Sequence, residues 1–400
     1  MIYLDNAATT KIDPRVVDAM MPCLTDEFGN PGTTYELGRN AKKAIERARM
    51  QVAKLINAEP EQIVFTSGGT EANNMVFIAL KHYLEKTGRK QIIISAVEHD
   101  SVRKSAENMC IKHGFDVVRH RVTDGGKITP TLLRNSLTSS TGLVSVMYMN
   151  NEIGSMNAAD LLSKVCHANG TLFHTDCVQA AACRPINVKK IDCDFASFSS
   201  HKIHGPKGVG ALYIKDRSML DPMIFGGSGQ EFGLRGGTEN VAGIVGFGAA
   251  CDILSKTDWI RSAGHIEELK KNFNNALYET LEQNGLADGL TLNGNSSAFG
   301  SKIMNYRING VNAESLVLLV DAAGVCISAG SACNSHESIP SQVLTAIGLT
   351  DEEASNSFRV SFDQSNTIEE ALTAGEVIGR CIHILYTEGL HESNWMDELG

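Results

Sequence analysis

Two patterns of apolar residues alternate along the first part of the chain. Between residues 41 and 56, apolar side chains return every three or four positions, which predicts a helix. A second helical pattern covers residues 71–86 and ends before Gly88. Short apolar runs predict buried strands, for example at 63–65, 172–174 and 195–198. Helices that alternate with buried strands are typical of an α/β domain with a mostly parallel central sheet.

The pattern changes near residue 256. A long helical pattern from Trp259 to about Gln283 precedes short strands and helices that alternate less regularly, including a predicted strand at 325–328. This mixture favours a second, smaller α/β domain, and a chain of 400 residues is too long for one compact core. We therefore expect a large domain over residues 15–255 and a small domain formed by residues 1–14 and 256–400.

Composition and charge exclude several classes of protein. The chain carries 36 Lys and Arg residues against 46 Asp and Glu residues, a formal net charge of −10. An acidic chain without basic blocks is a poor ligand for a phosphate backbone, so we expect no direct nucleic-acid partner. No apolar run reaches the roughly 20 residues that a membrane span requires. The first residues show no basic leader with an apolar core, so no secretory signal is expected.

The ten cysteines are scattered along the chain, and no two of them form a Cys-x-x-Cys pair. This spacing argues against zinc-ribbon and thioredoxin-like sites, and no metal site is expected. Many thiols without a secretory signal suit a reducing compartment, so the predicted location is the cytoplasm. Most of the cysteines are expected to be buried and inert.

The segment Ser67-Gly68-Gly69-Thr70-Glu71-Ala72-Asn73 lies between a predicted strand and a predicted helix. Glycines at such a junction let the backbone approach a ligand, and the N-terminus of the helix attracts an anion. No Lys-Ser or Lys-Thr pair follows the glycines, so this is not a Walker loop. An ordinary strand-to-helix turn explains these residues equally well when they are taken alone.

Two further segments carry polar residues at predicted strand ends. Lys202 follows the strand at 195–198, and a lysine forms Schiff bases when its surroundings lower its pKa. Asp176 and Gln179 follow the strand at 172–174. Open α/β sheets bind ligands at this edge, where an aspartate can keep a pyridine nitrogen protonated. Each segment alone has an ordinary explanation, a solvated lysine or a turn. Together with the glycine-rich segment they favour a pyridoxal phosphate enzyme.

The order of the motifs resembles that of the cysteine desulfurases, pyridoxal phosphate enzymes of the class V aminotransferase group. The motifs are Ser-Gly-Gly-Thr-Glu-Ala-Asn, Glu-His, Asn-Asn-Glu-x-Gly, Asp-x-x-Gln, Ser-x-His-Lys and Gly-Ser-Ala-Cys, and the likeness runs from Tyr3 to about Ser361. It implies the pyridoxal-phosphate-dependent transferase fold of type I, an α/β fold. In that fold a large domain with a mostly parallel central sheet carries a smaller α/β domain.

The resemblance also implies how pyridoxal phosphate would be bound. Lys202 matches the lysine that binds the cofactor covalently, Asp176 the partner of the ring nitrogen, and Gln179 the partner of the ring oxygen. His99 matches an imidazole stacked on the ring. The remaining cofactor-binding positions are matched by Gly69, Thr70, Ser199, His201, Asn151 and Thr238. Family members supply the contact at Thr238 from the neighbouring subunit, so a homodimer is expected.

The implied reaction converts L-cysteine to L-alanine, with Lys202, His99 and Cys333 as catalytic residues. Asn151 and Arg359 match the groups that bind the substrate carboxylate. Cys333 matches the thiol that accepts sulfur as a persulfide and passes it to an acceptor protein. Selenocysteine lyase or another class V enzyme stays an alternative, as does a scaffold that binds sulfur or metal. The destination of the sulfur is open among iron–sulfur cluster assembly, tRNA thiolation and DNA modification.

Several of these residues also have simpler explanations. His99 follows an apolar strand, as a core histidine would, and Arg359 could face solvent from an alternating strand. Cys326, between Val325 and Ile327, is predicted to be a core residue. Cys333 lies instead among glycine, serine and asparagine, a loop composition that suits an accessible, reactive thiol.

The chain also departs from the family pattern at several positions. The glycine-rich stretch 226–233 is one residue longer than usual and has Phe232 where arginine is common. Tyr35 and Gln342 each replace a common histidine. None of these changes removes a catalytic group. They bear on the geometry of the loop that faces the other subunit and on the identity of the sulfur acceptor.

Overall fold

The computed structural model describes residues 1–227, 229–294, 299–330 and 340–388. The strands are β1 (Ile2–Tyr3), β2 (Ile63–Thr66), β3 (Gln91–Ser95), β4 (Asp116–His120), β5 (Thr141–Ser145), β6 (Leu172–Asp176), β7 (Phe195–Ser199), β8 (Gly210–Ile214), β9 (Leu290–Leu292), β10 (Ile303–Ile308), β11 (Val325–Cys326), β12 (Ser328–Ala329) and β13 (Ser357–Ser361).

The helices lie between these strands and after them. They are α1 (Pro14–Leu24), α2 (Glu36–Ile56), α3 (Gly69–Ala79), α4 (Lys81–Thr87), α5 (Asp100–His113), α6 (Pro130–Ser136), α7 (Ala159–Ala168), α8 (Val188–Ile191), α9 (Val241–Leu254), α10 (Trp259–Gln283), α11 (Ala313–Ala322), α12 (Gln342–Ala346), α13 (Asp351–Ser355) and α14 (Ile368–Glu388).

A seven-stranded sheet in the order β2-β8-β7-β6-β5-β3-β4 forms the centre of the larger part of the chain. The five strands from β7 to β4 run parallel to one another, and β8 runs antiparallel to both of its neighbours. The expected α/β class with a mostly parallel central sheet is therefore confirmed.

Each face of this sheet is covered by helices, because successive side chains of a strand point to opposite faces. Ile63 and Phe65 of β2 pack into one core with Ile45 of α2, whereas Val64 packs into the other core with Met75 of α3. Strands that are buried on both faces read as continuous apolar runs. This is why short runs without alternation predicted them from the sequence.

The parallel strands bring their carboxyl ends to one edge of the sheet. There β6 ends at Asp176 and β7 ends at Ser199. Helix α3 begins at Gly69, shortly after β2, and His99 is the N-cap residue of α5, shortly after β3. Segments that are far apart in sequence are thereby placed around one space.

Three details of the predicted elements are wrong. The helix expected over 71–86 is two helices, α3 and α4. The carbonyl of Ala79 accepts a hydrogen bond from the backbone N–H of Asp221 instead of from the next turn of a continuous helix. The strand expected at 325–328 divides between two sheets, with β11 paired to β1 and β12 paired to β13. Strand β4 was missed because it is an edge strand with a single buried residue.

The C-terminal part has its own sheet and core. Strands β12, β13, β10 and β9 form an antiparallel sheet, and residues of α10, α11 and α14 pack into a core with Phe358 and Phe362. Leu4 belongs to the same core, and β1 pairs with β11. These contacts support grouping residues 1–14 with residues 256–400, a division that stays a prediction. Among the described helices, none combines the length and the apolar character needed to cross a membrane.

Candidate active site

A cavity of about 250 Å³ opens at the carboxyl edge of the central sheet. Ten of the twelve candidate residues line it, namely Gly69, Thr70, His99, Asn151, Asp176, Gln179, Ser199, His201, Lys202 and Arg359. Thr238 is exposed and does not line this cavity of its own chain. Cys333 lies outside the described residues. The fold therefore brings together residues that are up to 290 positions apart, since Gly69 and Arg359 border the same space.

Asp176 is held in place by two hydrogen bonds to its carboxylate. The backbone N–H of Val178 donates to Oδ1 at 2.9 Å, and Nδ2 of Asn73 donates to Oδ2 at 2.8 Å. The side chain is buried and borders the cavity. A carboxylate fixed in this way presents negative charge to a protonated ring nitrogen without having to reorient.

Lys202 lies in the short turn that follows β7 and borders the same cavity. Its Nζ donates to the carbonyl oxygens of Ala7 and Ala8, at 2.5 and 2.7 Å. The N-terminal segment thus fixes the position of the ammonium group. A lysine reacts as a nucleophile only as the neutral amine, so this group must give up a proton before it can react.

The beginning of α3 has the features of an anion site. At Gly69 a Cβ atom would lie 2.8 Å from Cγ2 of Val178, so glycine keeps the turn close-packed. Thr70 and Ser199 add hydroxyl groups that border the cavity. Burial, with the nearby charges of Lys202 and Lys207, lowers the pKa of His201 to about 4, so that its imidazole is neutral at pH 7. N–H and O–H donors around a helix N-terminus suit a phosphate group.

His99 is the N-cap residue of α5. Its Nδ1 accepts a hydrogen bond from the backbone N–H of Ser101 at 3.1 Å and lies 2.8 Å from the Ser101 hydroxyl. The ring borders the cavity. The alternative of a histidine enclosed in an apolar core is therefore wrong, because the capping bond places the ring at the end of the helix that faces the cavity.

Arg359 points into the cavity from β13 and is almost completely buried. Its Nη2 lies 2.7 Å from Oδ1 of Asp5, and its Nη1 donates to the backbone carbonyl of Asn151 at 3.0 Å. The alternative of an arginine that faces solvent is wrong. The pairing with Asp5 compensates the buried charge and sets the orientation of the guanidinium group.

Several buried polar atoms around the cavity lack a hydrogen-bond partner in the described part of the chain. They include Oδ1 of Asn151, Oε1 of Gln179 and Nε of Arg359. Buried polar atoms are nearly always hydrogen-bonded, so these atoms indicate a polar ligand. With a carboxylate, a lysine and an anion site at the same cavity, they fit pyridoxal phosphate together with a substrate that carries a carboxylate.

The sequence reasoning missed several residues that border this cavity. Glu98 and Glu152 are buried there, and burial raises the pKa of both carboxyl groups above the usual range. Asn73 and Ser101 also line the cavity. A signal for Asn73 was present, because it follows Thr70 by three positions and so lies on the same side of α3. Asp5 and the carbonyls of the N-terminal segment gave no such signal.

The structure accounts for Phe232, which stands where the family usually has arginine. The Cζ atoms of Arg217 and Arg49 lie 3.8 and 5.1 Å from the centre of the Phe232 ring. Arg49 is also paired with the buried Glu231 at 2.7 Å. Another cation would repel both guanidinium groups, whereas an aromatic ring attracts them.

The other two departures lie in different surroundings. Tyr35 is exposed at the N-cap position of α2. Gln342 borders the cavity, and its Oε1 accepts a hydrogen bond from Nη2 of Arg119 at 3.2 Å. The extra residue of the glycine-rich stretch has no described consequence, because Ser228 lies outside the described residues.

None of the nine cysteines in the described ranges lines the cavity. Burial raises the pKa of most of them, including Cys166, Cys177 and Cys251, so their thiols are poor nucleophiles. The expectation that Cys326 is a core residue is wrong. It is only partly buried, in the two-stranded sheet of β1 and β11. Burial and the negative charge of the nearby Asp321 raise the pKa of its thiol.

Comparison with known proteins agrees with this arrangement. The family described as aminotransferase class-V matches residues 2–372. A protein of Methanosarcina thermophila named cysteine desulfurase IscS is 38% identical over 384 residues, which covers 96% of this chain and 92% of that protein. The mitochondrial cysteine desulfurase of Arabidopsis thaliana is 40% identical over 379 residues, covering 94% of this chain and 81% of that protein.

Solved structures confirm the expected transferase fold of type I. A NifS-like protein superimposes with a TM-score of 0.87 and 30% identity, covering 96% of this chain and all of the other. A structure described as SspA in complex with cysteine has a TM-score of 0.76 and 31% identity, covering 92% of this chain and all of the other. The chain belongs to the class V aminotransferase family and, within it, to the cysteine desulfurases.

Proposed function

We propose that this protein is a pyridoxal-phosphate-dependent cysteine desulfurase, which converts L-cysteine to L-alanine and transfers the sulfur to an acceptor protein. The observation that carries the proposal is the convergence of Lys202, Asp176 and Arg359 on one cavity. This arrangement combines a lysine, a carboxylate and a buried cation, which suit the aldehyde, the ring nitrogen and an amino-acid carboxylate. The named activity of the relatives supports cysteine as the substrate.

Each part of the cofactor has residues of suitable chemistry at the cavity. Lys202 would bind the aldehyde carbon, Asp176 the ring nitrogen and Gln179 the ring oxygen, with His99 against the ring. The phosphate would be held by the beginning of α3 and its neighbours, namely Gly69, Thr70, Ser199 and His201. When bound, pyridoxal phosphate supplies an electron sink for the carbon atom that loses a proton.

The substrate would be oriented by its carboxylate. Arg359 is fixed by Asp5, and its buried Nε has no partner in the described part of the chain, which leaves a donor for this group. The amide of Asn151, whose Oδ1 is also buried without a described partner, borders the same space. A substrate held at its carboxylate presents its Cα to the Lys202 amine, and such positioning lowers the entropic part of the barrier.

The protons would be moved by two side chains. The neutral amine of Lys202 would accept the proton from Cα of the substrate and return it to Cα after the sulfur has left, because alanine also carries this hydrogen. His99 borders the cavity as a second group that can hold or release a proton. Positioned acid and base groups typically accelerate a reaction by about 10²- to 10⁴-fold.

Sulfur transfer would use Cys333. Its thiolate attacks the sulfur of the substrate, so that an S–S bond forms while the bond between Cβ and sulfur breaks. The electron pair of the broken bond goes to the substrate carbon, which takes a proton and becomes the methyl group of alanine. Cys333 is left as a persulfide, so the sulfur is oxidised and the carbon is reduced without another reagent.

Two variants test this assignment. Lys202→Ala should abolish alanine formation from cysteine, whereas Lys207→Ala, which changes an exposed lysine of the same loop, should leave it unchanged. Cys333→Ser should lower alanine release and labelled sulfur on the protein by orders of magnitude, since a hydroxyl is a far poorer nucleophile than a thiolate. Alanine formation by Lys202→Ala, or sulfur labelling of Cys333→Ser, would contradict the proposal.

We also propose a cytoplasmic homodimer in which Thr238 contributes to the phosphate site of the other subunit. Its exposed position outside the cavity of its own chain supports this role. A symmetric pair of such contacts is expected for an isologous interface. Sedimentation at the assay concentration should show a dimer, and a fully active monomer would contradict the proposal.

A further inference from the structure

A continuous chain of hydrogen bonds connects the carboxylate of Asp176 to the imidazole of His99. Nδ2 of Asn73 lies 2.8 Å from Oδ2 of Asp176 and 2.8 Å from Oγ of Ser101. Oγ of Ser101 in turn lies 2.8 Å from Nδ1 of His99. Asn73 and Ser101 are both buried, so solvent does not compete for these bonds. The chain joins the two side chains proposed to contact the cofactor ring.

The carboxylate of Asp176 determines the orientation of the Asn73 amide. A carboxylate only accepts hydrogen bonds, so the atom that faces it must be the NH₂ group. The amide oxygen is left buried without a partner in the described part of the chain. Turning the amide would lose the hydrogen bond to Asp176 and place the amide oxygen against the carboxylate, which also only accepts. The observed orientation is therefore the favourable one, and the NH₂ group gives one hydrogen to Asp176 and the other to Ser101.

The direction of the Ser101 hydroxyl follows from this orientation. Its oxygen accepts a hydrogen from Asn73, so its own hydrogen is available for Nδ1 of His99. The backbone N–H of Ser101 donates to the same Nδ1 at 3.1 Å. Two donors converge on this nitrogen, which therefore carries no hydrogen. The neutral imidazole must then carry its hydrogen on Nε2.

We propose that Ser101, oriented by Asn73, is a positioning residue that fixes the ring of His99 with Nδ1 as an acceptor and with the hydrogen on Nε2. Any proton that neutral His99 delivers to the cavity then comes from Nε2. The effect on turnover rests on the proposed desulfurase function, whereas the state of the imidazole does not. Because Asn73 bonds to Asp176 and to Ser101, it also couples the position of His99, through Ser101, to that of Asp176.

The protonation state of the imidazole can be measured by ¹⁵N NMR. The sample is the protein with its cofactor, labelled with ¹⁵N at histidine. The signals of His99 are those that disappear in His99→Gln. Wild-type His99 should show an unprotonated Nδ1 with the upfield shift of a hydrogen-bonded acceptor, and a protonated Nε2. In Ser101→Ala the Nδ1 signal should move downfield, because one of its two donors is lost. Ser101→Thr, which keeps a hydroxyl, should retain the wild-type signal.

Ser105→Ala is the matched control, since Ser105 is buried on the same helix and its Oγ has no partner in the described residues. It should leave the His99 signals unchanged. Ser101→Ala should also lower kcat for alanine formation about tenfold, with little change in KM. This is less than the roughly 10²- to 10⁴-fold contribution of an acid–base group, because His99 itself is kept.

Two results would overturn the proposal. The first is a wild-type protein in which His99 carries its hydrogen on Nδ1. The second is an Nδ1 signal that has the same chemical shift in Ser101→Ala as in wild type. If wild-type protein shows the expected signals but forms no alanine from cysteine, the proposed function fails while this inference stands.

Discussion

The two walls of the cavity are assembled in different ways. The central-sheet wall consists of Gly69, Asp176, Ser199 and Lys202, each of which ends a strand of one sheet or follows it by a few residues. The small-sheet wall consists of Ala7, Ala8 and Arg359, together with Asp5, which pairs with Arg359. It combines the N-terminal segment with β13. The first wall follows from the geometry of parallel strands. The second requires that the two ends of the chain meet.

The contacts of the small-sheet wall span most of the chain. Arg359 pairs with Asp5, and the backbone N–H of Ala7 donates to Oγ of Ser361 at 2.9 Å. Lys202 of the central-sheet wall is bonded to carbonyls of the small-sheet wall. The position of the reactive amine therefore depends on the packing of the N-terminal segment. Stability and site geometry are therefore coupled at the small-sheet wall, where the two ends of the chain meet.

The largest expected effect comes from breaking the small-sheet wall at Asp5. Asp5→Ala leaves the guanidinium of Arg359 buried without its carboxylate, and breaking a buried ion pair in this way costs about 3–5 kcal/mol. We expect the free energy of unfolding in denaturant to fall by that amount and the KM for cysteine to rise, because the guanidinium loses its orientation.

Asp252→Ala is the control for this change. Asp252 in the last turn of α9 pairs at 2.7 Å with Lys256, which follows the helix, and both side chains are accessible to solvent. Such pairs contribute about 0.5 kcal/mol or less on a helix. If Asp5→Ala and Asp252→Ala lower the free energy of unfolding equally, the small-sheet wall is not held by its buried pair.

A smaller effect is expected from the central-sheet wall. In Gly69→Ala the new methyl group would lie 2.8 Å from Cγ2 of Val178, and overpacking of this kind costs about 1–3 kcal/mol. The beginning of α3 must then shift, so the protein should bind pyridoxal phosphate more weakly in a fluorescence titration.

Val178→Ala removes the methyl group that causes the clash. Adding it to Gly69→Ala should restore most of the lost affinity for pyridoxal phosphate, whereas Val178→Ala alone should change it little. If Gly69→Ala binds pyridoxal phosphate equally well with and without Val178→Ala, the contact with Val178 is not the reason why position 69 requires glycine.

A pH-dependent effect is expected where His204 connects the two parts of the chain. Its Nε2 lies 3.0 Å from Oδ1 of Asp363, and its Nδ1 lies 3.0 Å from the carbonyl of Lys11. Burial opposes the charge, but the hydrogen bond to Asp363 and its negative charge raise the pKa of His204 above the ordinary value. The imidazolium therefore stabilises the folded state below the unfolded pKa of about 6.5, and this contribution is lost as pH rises through the folded pKa.

The free energy of unfolding should therefore fall less steeply above pH 6.5 in His204→Gln than in wild type. His167 provides the comparison, because the hydrogen bond to Asp194 and the negative charges of Asp194 and Asp192 raise its pKa as well, but it does not line the cavity. His167→Gln should reduce the pH dependence of stability and leave the KM for cysteine unchanged, whereas His204→Gln should change both. An unchanged pH dependence in His204→Gln would contradict the role of this contact.

The smallest effect is expected for Cys326→Ser in β11, next to the small-sheet wall. The sulfur is partly exposed, and a surface substitution of this kind usually changes the free energy of unfolding by less than about 0.5 kcal/mol. Alanine formation and labelled sulfur on the protein should be retained. Loss of the label in this variant would show that Cys326, and not Cys333, accepts the sulfur.

Much of the central-sheet wall could be predicted from the sequence. Apolar runs marked β2, β6 and β7. The glycine-rich segment after the first run marked Gly69 as a candidate, and polar residues after the other two marked Asp176 and Lys202. Parallel strands place their carboxyl ends side by side, so residues at these positions meet whatever the length of the connecting segments. The resemblance to a family then supplied roles for single residues, including His99 and Arg359.

The sequence by itself determined the fold class, the position of the cavity at one sheet edge and about half of the residues that border it. Only the tertiary structure decided that Asp5 compensates Arg359, that Ala7 and Ala8 hold the amine of Lys202, and that Asn73 and Ser101 connect Asp176 to His99. Local periodicity shows which face of an element is buried, and it carries no information about which distant segment covers that face. Contacts between such segments depend on the packing of whole cores, so they became visible only when the chain was folded.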